Sequence, residues 1–323
     1  MKLIVQIPCF NEEETLPITV KDIPRNIKGI DKVEVLVIDD GSTDRTSEVA
    51  KELGVEHIVR FNKNKGLAKA FSTGLDACLK LGADIIVNTD ADNQYKGEDI
   101  PKLIKPILEG KADIVVGDRQ IDTIKDFSFM KKKLQKIGSL VVRHVSGTDI
   151  PDATSGFRAF SREAALNINV LSPFTYTLET IIEAGNKGMV IIGVPIRTNP
   201  KCRESRLYKN IGQYIVRSII TIIRIYTMYQ PLKTFFYVGG LVFFAGFLLG
   251  LRFLYFYLIG NGAGHIQSLI LAAVLLIAGF MIIMIGLVAD IVSFNRKMVE
   301  DVLCRIKKME VFSKGTERYN DER

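Results

Sequence analysis

The sequence predicts an α/β fold with a mostly parallel sheet, followed by a pair of membrane-spanning helices, and three observations carry that expectation. Short apolar, β-branched runs alternate five times with segments of helical periodicity before Arg119. Two of the runs end abruptly in carboxylates, in VIDDGSTD and VNTDADNQY. Two long stretches, 235–259 and 266–289, are apolar apart from Arg252.

Residues 3–7 form the first strand, and Pro8, lacking an N–H, is expected to end its ladder. Asn11 then caps a helix with Glu12, Glu13 and Glu14 in its first turn, where the helix dipole favours acids. Residues 33–38 form the second strand; Gly41 permits a tight turn, and Ser42 or Asp44 caps the next helix. After a third strand at 57–60, the residues Ala68, Phe71, Leu75, Cys78 and Leu79 recur at helical spacing and point one face at the sheet. Lys63, Lys65 and Lys69 gather at that helix's start, to meet a diphosphate or to form a solvated face.

The run 83–88 reads as a strand buried on both faces. Asp90 and Asp92 therefore stand at a strand's carboxyl end, the edge where open α/β sheets bind ligands. Two carboxylates one residue apart suit a hard cation, Mg²⁺ or Mn²⁺, with room left for phosphate oxygens. A helix over 98–109 and the strand ADIVVGDR follow. Further on, Ser155 and Gly156 allow backbone to approach a ligand, Arg158 offers a planar fork for a phosphate, and Ser161 caps a helix. Residues 189–195 make the last strand, and the polar RTNPKCRESRLYKN reads as a loop.

Several chemistries are disfavoured. The sequence has no G-x-G-x-x-G or G-x-x-x-x-G-K-[ST] after a strand, no G-x-S-x-G, and no metal spacing among His57, His144 and His265. Cys9, Cys78, Cys202 and Cys304 match no C-x-x-C pattern and read as reduced thiols in a cytoplasmic setting. No signal sequence is read at the N-terminus, and nucleic acid is not an expected partner.

Lys and Arg outnumber Asp and Glu by 43 to 36, but the asymmetry is local. Between Arg197 and Lys233 eight basic residues face one acid, Glu204. There 208–231 reads as an interfacial amphipathic helix, with Gln213, Arg217, Thr221 and Arg224 on its polar face. Each apolar stretch is long enough to cross a hydrocarbon layer of roughly 30 Å. Lys233, Arg296 and Lys297 flank the outer ends while the GNGAGH turn carries no Lys or Arg, so both termini are expected on the cytoplasmic side. The organisation expected is a catalytic domain at 1–207, the interfacial helix at 208–231, a two-helix anchor at 232–294 and a cytoplasmic tail at 295–323. Gly239, Gly240, Ala245 and Gly246 offer a close-packing face for helix association, and a homo-oligomer stays open.

With PCFNEEETL, VIDDGSTD, DAD and SGFR in this order, the first 210 or so residues resemble the family 2 glycosyltransferases of GT-A fold. More narrowly they resemble the polyprenyl-phosphate sugar synthases, such as dolichyl-phosphate and undecaprenyl-phosphate glycosyltransferases. The resemblance implies that Pro8, Phe10, Glu12 and Asp39 hold the nucleoside and that Asp90, Asp92 and Gln94 surround the metal. Asp40, Lys69, Ala91 and Arg206 complete the nucleotide-sugar set, and Arg119 would meet donor or acceptor phosphate. Ser155, Arg158, Arg203 and Arg206 would hold the acceptor phosphate, with Asp152 orienting it. The tripeptide Ser205-Arg206-Leu207 stands where mannosyl members carry S-K-L, and Arg203 sits at a shifted spacing, which leaves the sugar open. The chain has no Trp, which disfavours the processive synthases with their Q-x-x-R-W motif.

The implied reaction is inverting, metal-dependent transfer of one sugar from a nucleoside-diphosphate sugar to polyprenyl phosphate. Its expected place is the cytoplasmic face of a cell membrane, or of the endoplasmic reticulum in a eukaryote. The rivals are a transferase that extends a lipid-linked saccharide and a membrane subunit that only binds nucleotide sugar.

Overall fold

A computed structural model describes residues 1–120, 138–143, 145–170, 176–200, 216, 219–220, 223–224 and 226–321. Two compact units are present, one within Met1–Ile222 and Val302–Arg323 and the other within Ile223–Asp301.

The first unit is built on a seven-stranded sheet. Its elements in chain order are β1 (Lys2–Cys9), α1 (Leu16–Asp22), β2 (Lys32–Asp39), α2 (Thr46–Glu52), β3 (His57–Arg60), α3 (Leu67–Lys80) and β4 (Ile85–Asn88). There follow α4 (Ile100–Leu108), β5 (Ile114–Asp118), β6 (Arg158–Ser161), α5 (Arg162–Asn167), α6 (Tyr176–Asn186) and β7 (Ile191–Pro195). The strand order is β3-β2-β1-β4-β6-β5-β7, parallel except for β6, which runs antiparallel to β4 and β5. The chain winds outward from β1 in both directions, so the carboxyl ends of β1, β2 and β4 frame one crevice at the switch point.

The central strands are buried on both faces, as their continuous apolar runs require. Leu3, Val5, Ile7, Val35, Val37, Ile85 and Val87 pack against Leu16 and Val20 of α1 and Ile100, Leu103 and Ile104 of α4. On the opposite face Phe71 of α3 stacks on Tyr176 of α6, ring centroids 3.9 Å apart, and meets Phe160 of β6 at 5.8 Å. Burying each such side chain contributes about 1.5–3 kcal/mol before entropy is counted.

Two local expectations are overturned. β1 runs past Pro8, with Pro8 opposite Ile38 and Cys9 opposite Asp39. The Gln6 carbonyl accepts from Thr89 on the β4 side and the Cys9 carbonyl from Asp40 on the β2 side. Alternation therefore turns the Pro8 nitrogen toward β4, whose ladder with β1 has already ended at Gln6 and Asn88. Asn11 is not a helix cap either: α1 begins at Leu16, with Pro17 in its first turn, after a turn closed on the Glu12 carbonyl. Asn11 sits in the left-handed region at φ 57, and its Oδ1 accepts from Thr43 N at 2.8 Å, joining the β1 and β2 loops. By contrast Ser161 caps α5 as expected, accepting from Ala164 N.

The second unit holds an antiparallel helical hairpin, α7 (Pro231–Leu258) and the membrane-length part of α8 (Ile266–Asp321). Both are candidate membrane spans, and side chains such as Phe236, Leu241, Phe244, Val274, Ile277 and Phe280 face outward rather than into a core. Of the small residues named from the sequence, Gly239 and Gly246 lie in the seam. A Cβ on Gly239 would stand 2.8 Å from the Gly279 carbonyl, and one on Gly246 2.9 Å from Leu275. Gly240 has nothing within 4 Å and Ala245 is exposed, because 100° per residue turns both out of the seam.

α8 runs on through the residues expected to form the tail, from 295 to Asp321. No Gly or Pro occurs between Gly286 and Gly315, so nothing breaks the helix as it becomes polar. Its later part belongs to the first unit, where Lys307 pairs with Asp76 of α3 at 3.0 Å and Lys308 with Glu163 of α5 at 2.7 Å.

Candidate active site

Around the β2 end, three loops are tied by carboxylates. Gly41, at φ +72, makes the turn after Asp39 and Asp40; a Cβ there would stand 2.5 Å from the Lys63 backbone. Asp39 is fully buried, its Oδ1 accepting from Ser42 N at 2.8 Å and its Oδ2 from the Ser47 hydroxyl, with Arg60 Nε 3.5 Å away. Asp40 accepts from Lys65 N at 2.7 Å and Gly66 N at 2.9 Å, which fastens the approach to α3. Burial pushes the Asp40 carboxyl up in spite of those donors. Asp44, rather than Ser42, serves the start of α2, accepting from Thr46 N at 3.0 Å.

Phe10 emerges from β1 partly exposed beside this turn, and Glu12 is nearly buried, accepting from Thr15 Oγ1 at 2.7 Å. Lys69 is exposed in the first turn of α3. Lys65 lies over the Phe61 ring, its Nζ 4.7 Å from the centroid.

At the β4 end the last ladder bond, Thr89 N to the Gln6 carbonyl, is followed at once by Asp90. Ala91 is buried and its carbonyl accepts from Thr19 Oγ1 at 3.0 Å. Asp92 Oδ1 accepts from Gln94 N at 3.1 Å. The loop is held from outside as well, because Asn199 donates its backbone N–H to the Gln94 carbonyl at 2.9 Å and its Nδ2 to the Asn93 carbonyl at 3.0 Å. Asn93 lies at φ 52, and its Oδ1 is buried without a hydrogen-bond partner.

Burial, and then the charge of Asp92, push Asp90 up to about 7. A carboxylate pair crowded in this way, in a loop that also holds an orphaned amide oxygen, fits a hard divalent cation. Among the described residues no three His, Cys, Asp or Glu side chains converge on one point.

Arg119, just past β5, is nearly buried. Its Nε donates to Asp152 Oδ2 at 2.6 Å and its Nη2 to Asp152 Oδ1 at 2.9 Å and Thr154 Oγ1 at 2.7 Å. Burial opposes the charge on Arg119, but Tyr95, Asp152 and Asp90 hold its pKa above the ordinary arginine value. Burial likewise works to raise Asp152, and Arg119 outweighs it and holds that carboxyl below the usual range. With both oxygens taken, Asp152 has the geometry of a clamp on Arg119.

Arg158 is not placed for an acceptor. It is wholly buried, donating from Nε to the Ser155 carbonyl at 2.8 Å, from Nη2 to the Ala153 carbonyl at 2.9 Å and from Nη1 to Thr180 Oγ1. β6 lies between β4 and β5, so Arg158, its first residue, opposite Asn88 and Val116, enters the interior, where burial lowers its pKa to about 10. Ser155 is buried too, and its Oγ has no partner. Arg203 and Arg206 lie outside the described residues, as does most of the expected interfacial helix.

Sequence reasoning missed the polar layer beneath the pair. Asn88 accepts from Gln6 Nε2 at 2.9 Å and donates to the Gly156 carbonyl at 2.8 Å and Tyr176 Oη at 2.9 Å. The signal was there in one residue: an amide ending the otherwise apolar strand IIVN.

A mostly parallel sheet with two acid-bearing strand ends at one crevice is a GT-A-like α/β fold. The sequence model of "Glycosyl transferase family 2" matches residues 4–168, and the chain belongs to that family: it is a glycosyltransferase, similar to the polyprenyl-phosphate sugar synthases. Its relatives include the UDP-N-acetylglucosamine–dolichyl-phosphate N-acetylglucosaminyltransferase of Methanococcus voltae, 33% identical over 59% of this chain and 83% of that one. Another is the polyprenol monophosphomannose synthase of Mycolicibacterium smegmatis, 29% identical over 60% of this chain and 76% of that one. Among solved structures, glucosyl-3-phosphoglycerate synthase from Mycobacterium tuberculosis with uridine diphosphate shares the fold. Its TM-score is 0.54 at 21% identity, covering 70% of this chain and 80% of that one.

Proposed function

We propose that this glycosyltransferase moves one sugar from a nucleoside-diphosphate sugar onto the phosphate of a polyprenol, with inversion, at the cytoplasmic face of a membrane. The observation that carries the reading is the Asp90–Asp92 pair at the switch point of the sheet, in a chain that also has two candidate membrane spans. Both named relatives use a polyprenyl or dolichyl phosphate, which supports the acceptor class.

Pro8, Phe10, Glu12, Asp39 and Asp40 would hold the nucleoside, and Lys69, exposed at the start of α3, would meet the diphosphate. Asp90 and Asp92, with Gln94 beside them, would hold Mg²⁺ or Mn²⁺, which when bound neutralises charge developing on the departing diphosphate. Arg119, kept charged and fixed by Asp152 and Thr154, places a positive guanidinium beside that pair. The acceptor phosphate is already an anion near neutral pH, and its oxygen attacks the anomeric carbon from the face opposite the diphosphate. No strong base is required, which agrees with an Asp152 whose oxygens are occupied. Arg203 and Arg206 are retained as acceptor contacts on the family resemblance alone. The membrane helices would supply a locally concentrated lipid acceptor.

The test is incubation of the detergent-purified chain with Mn²⁺, polyprenyl phosphate and a panel of radiolabelled UDP- and GDP-sugars, following label into the lipid phase. Label from one donor supports the reading and names the sugar. Extension of a lipid-linked saccharide, with no labelling of polyprenyl phosphate, overturns the acceptor.

A further inference from the structure

Asp90 rests against a backbone seat. A Cβ placed on Gly156 would stand 2.9 and 2.8 Å from the two carboxylate oxygens of Asp90 and 2.9 Å from Tyr176 Oη. The Cα of Gly156 therefore closes the space behind the carboxylate, and its peptide groups are held from both sides. The Gly156 N–H donates to Tyr95 Oη at 2.9 Å, and the Gly156 carbonyl accepts from Asn88 Nδ2 at 2.8 Å. Neither holder is loose, since Gln6 fixes Asn88 and the Tyr95 ring stacks on Phe157 with centroids 5.2 Å apart.

Tyr95 also belongs to the loop that carries Asp92 and Gln94, and its backbone bridges to Thr198. One hydroxyl thus ties that loop to the peptide behind the other carboxylate.

We infer that Tyr95, acting through the Gly156 peptide, is a positioning residue that sets the separation of the Asp90 and Asp92 carboxylates and so the affinity of the pair for a divalent cation. The inference rests on the reading of that pair as a cation site. Partners of this kind behind metal ligands change affinity by about 10- to 100-fold when removed.

The experiment is Mn²⁺ binding to the full-length chain in detergent, with free Mn²⁺ counted by electron paramagnetic resonance, with UDP or GDP at saturation. Tyr95→Phe keeps the stack on Phe157 and removes only the hydroxyl. It is expected to weaken Mn²⁺ by about tenfold or more, to leave metal-free nucleotide binding unchanged, and to raise the Mn²⁺ concentration for half-maximal transfer more than it lowers kcat. Gly156→Ala keeps both peptide hydrogen bonds and presses a methyl group on Asp90, and the same loss is expected of it should Tyr95→Phe not fold. Mn²⁺ binding at the wild-type level in either folded variant overturns the inference. Asp92→Ala, run alongside, separates the two failures: if it too binds Mn²⁺ like the wild type, or if the wild type binds none, the cation reading itself falls.

Discussion

Arg119 and Asp152 form a two-pronged ion pair, 2.6 and 2.9 Å, with both side chains withdrawn from solvent. Removing either partner leaves the other's charge buried and uncompensated, a cost of about 3–5 kcal/mol, while removing both spares most of that. Asp152→Ala and Arg119→Ala are therefore expected to unfold at lower denaturant than the double variant once volume loss is matched. An Asp152→Asn protein that remains folded should keep measurable transfer and an unaltered pH–rate profile. Loss of the acidic limb from that profile would instead make Asp152 the base.

Arg158 gives an opposite expectation to the one its motif suggested. Arg158→Lys keeps the charge but cannot reach the Ser155 and Ala153 carbonyls and Thr180 together. About 2–3 kcal/mol of stability should be lost in denaturant unfolding, with the KM for polyprenyl phosphate unchanged. A raised acceptor KM at wild-type stability would contradict the buried placement.

The membrane-length hairpin is packed through glycine. A Cβ on Gly279 would stand 2.5 Å from the Phe243 backbone nitrogen, so Gly279→Leu must push the helices apart at about 1–3 kcal/mol. Gly240→Leu, with nothing within 4 Å, should leave the melting temperature in detergent where it was. Equal effects at the two positions would refute the seam.

Acid sensitivity has an identifiable source in Asp99. Burial works to raise it, yet Arg197, through backbone N–H and guanidinium, and Lys102 hold it at about 2, below its ordinary 3.8. A carboxyl lowered in the folded state binds its proton more readily when unfolded. Its contribution is present in full above about pH 4, fades as pH falls through 2, and is absent below. The melting-temperature gap between wild type and Asp99→Asn should accordingly be flat above about pH 5 and close toward pH 2. A gap that widens on acidification would contradict the assignment.

What the sequence made legible was set by local pattern. Apolar runs broken by acids placed β1, β2 and β4 and the crevice acids Asp39, Asp40, Asp90 and Asp92, and uninterrupted hydropathy placed the two spans. Partners far apart in sequence were not legible: Arg119 with Asp152, Arg158 with Thr180, Asn88 with Gly156, and Asn199 with the Asp92 loop. Each of those depends on where β6 and the segment after β7 return to the sheet. Arg158 was misread for that reason, since a guanidinium after S-G-F looks the same whether its acceptors are a ligand's oxygens or the chain's own carbonyls. The helix start at Leu16 turned on Pro17, which outweighed three acids and an asparagine placed earlier.

In the proposed reaction a divalent cation held by Asp90 and Asp92 assists transfer to polyprenyl phosphate. The measurement that tests it most directly is label transfer into the lipid phase by wild-type protein and Asp92→Asn, after chelation and again after Mn²⁺ is restored. Wild-type transfer is expected to stop on chelation and to recover with Mn²⁺, while Asp92→Asn loses most of its transfer at any Mn²⁺ concentration. Transfer that persists in chelator, or an Asp92→Asn protein as active as the wild type, would contradict it.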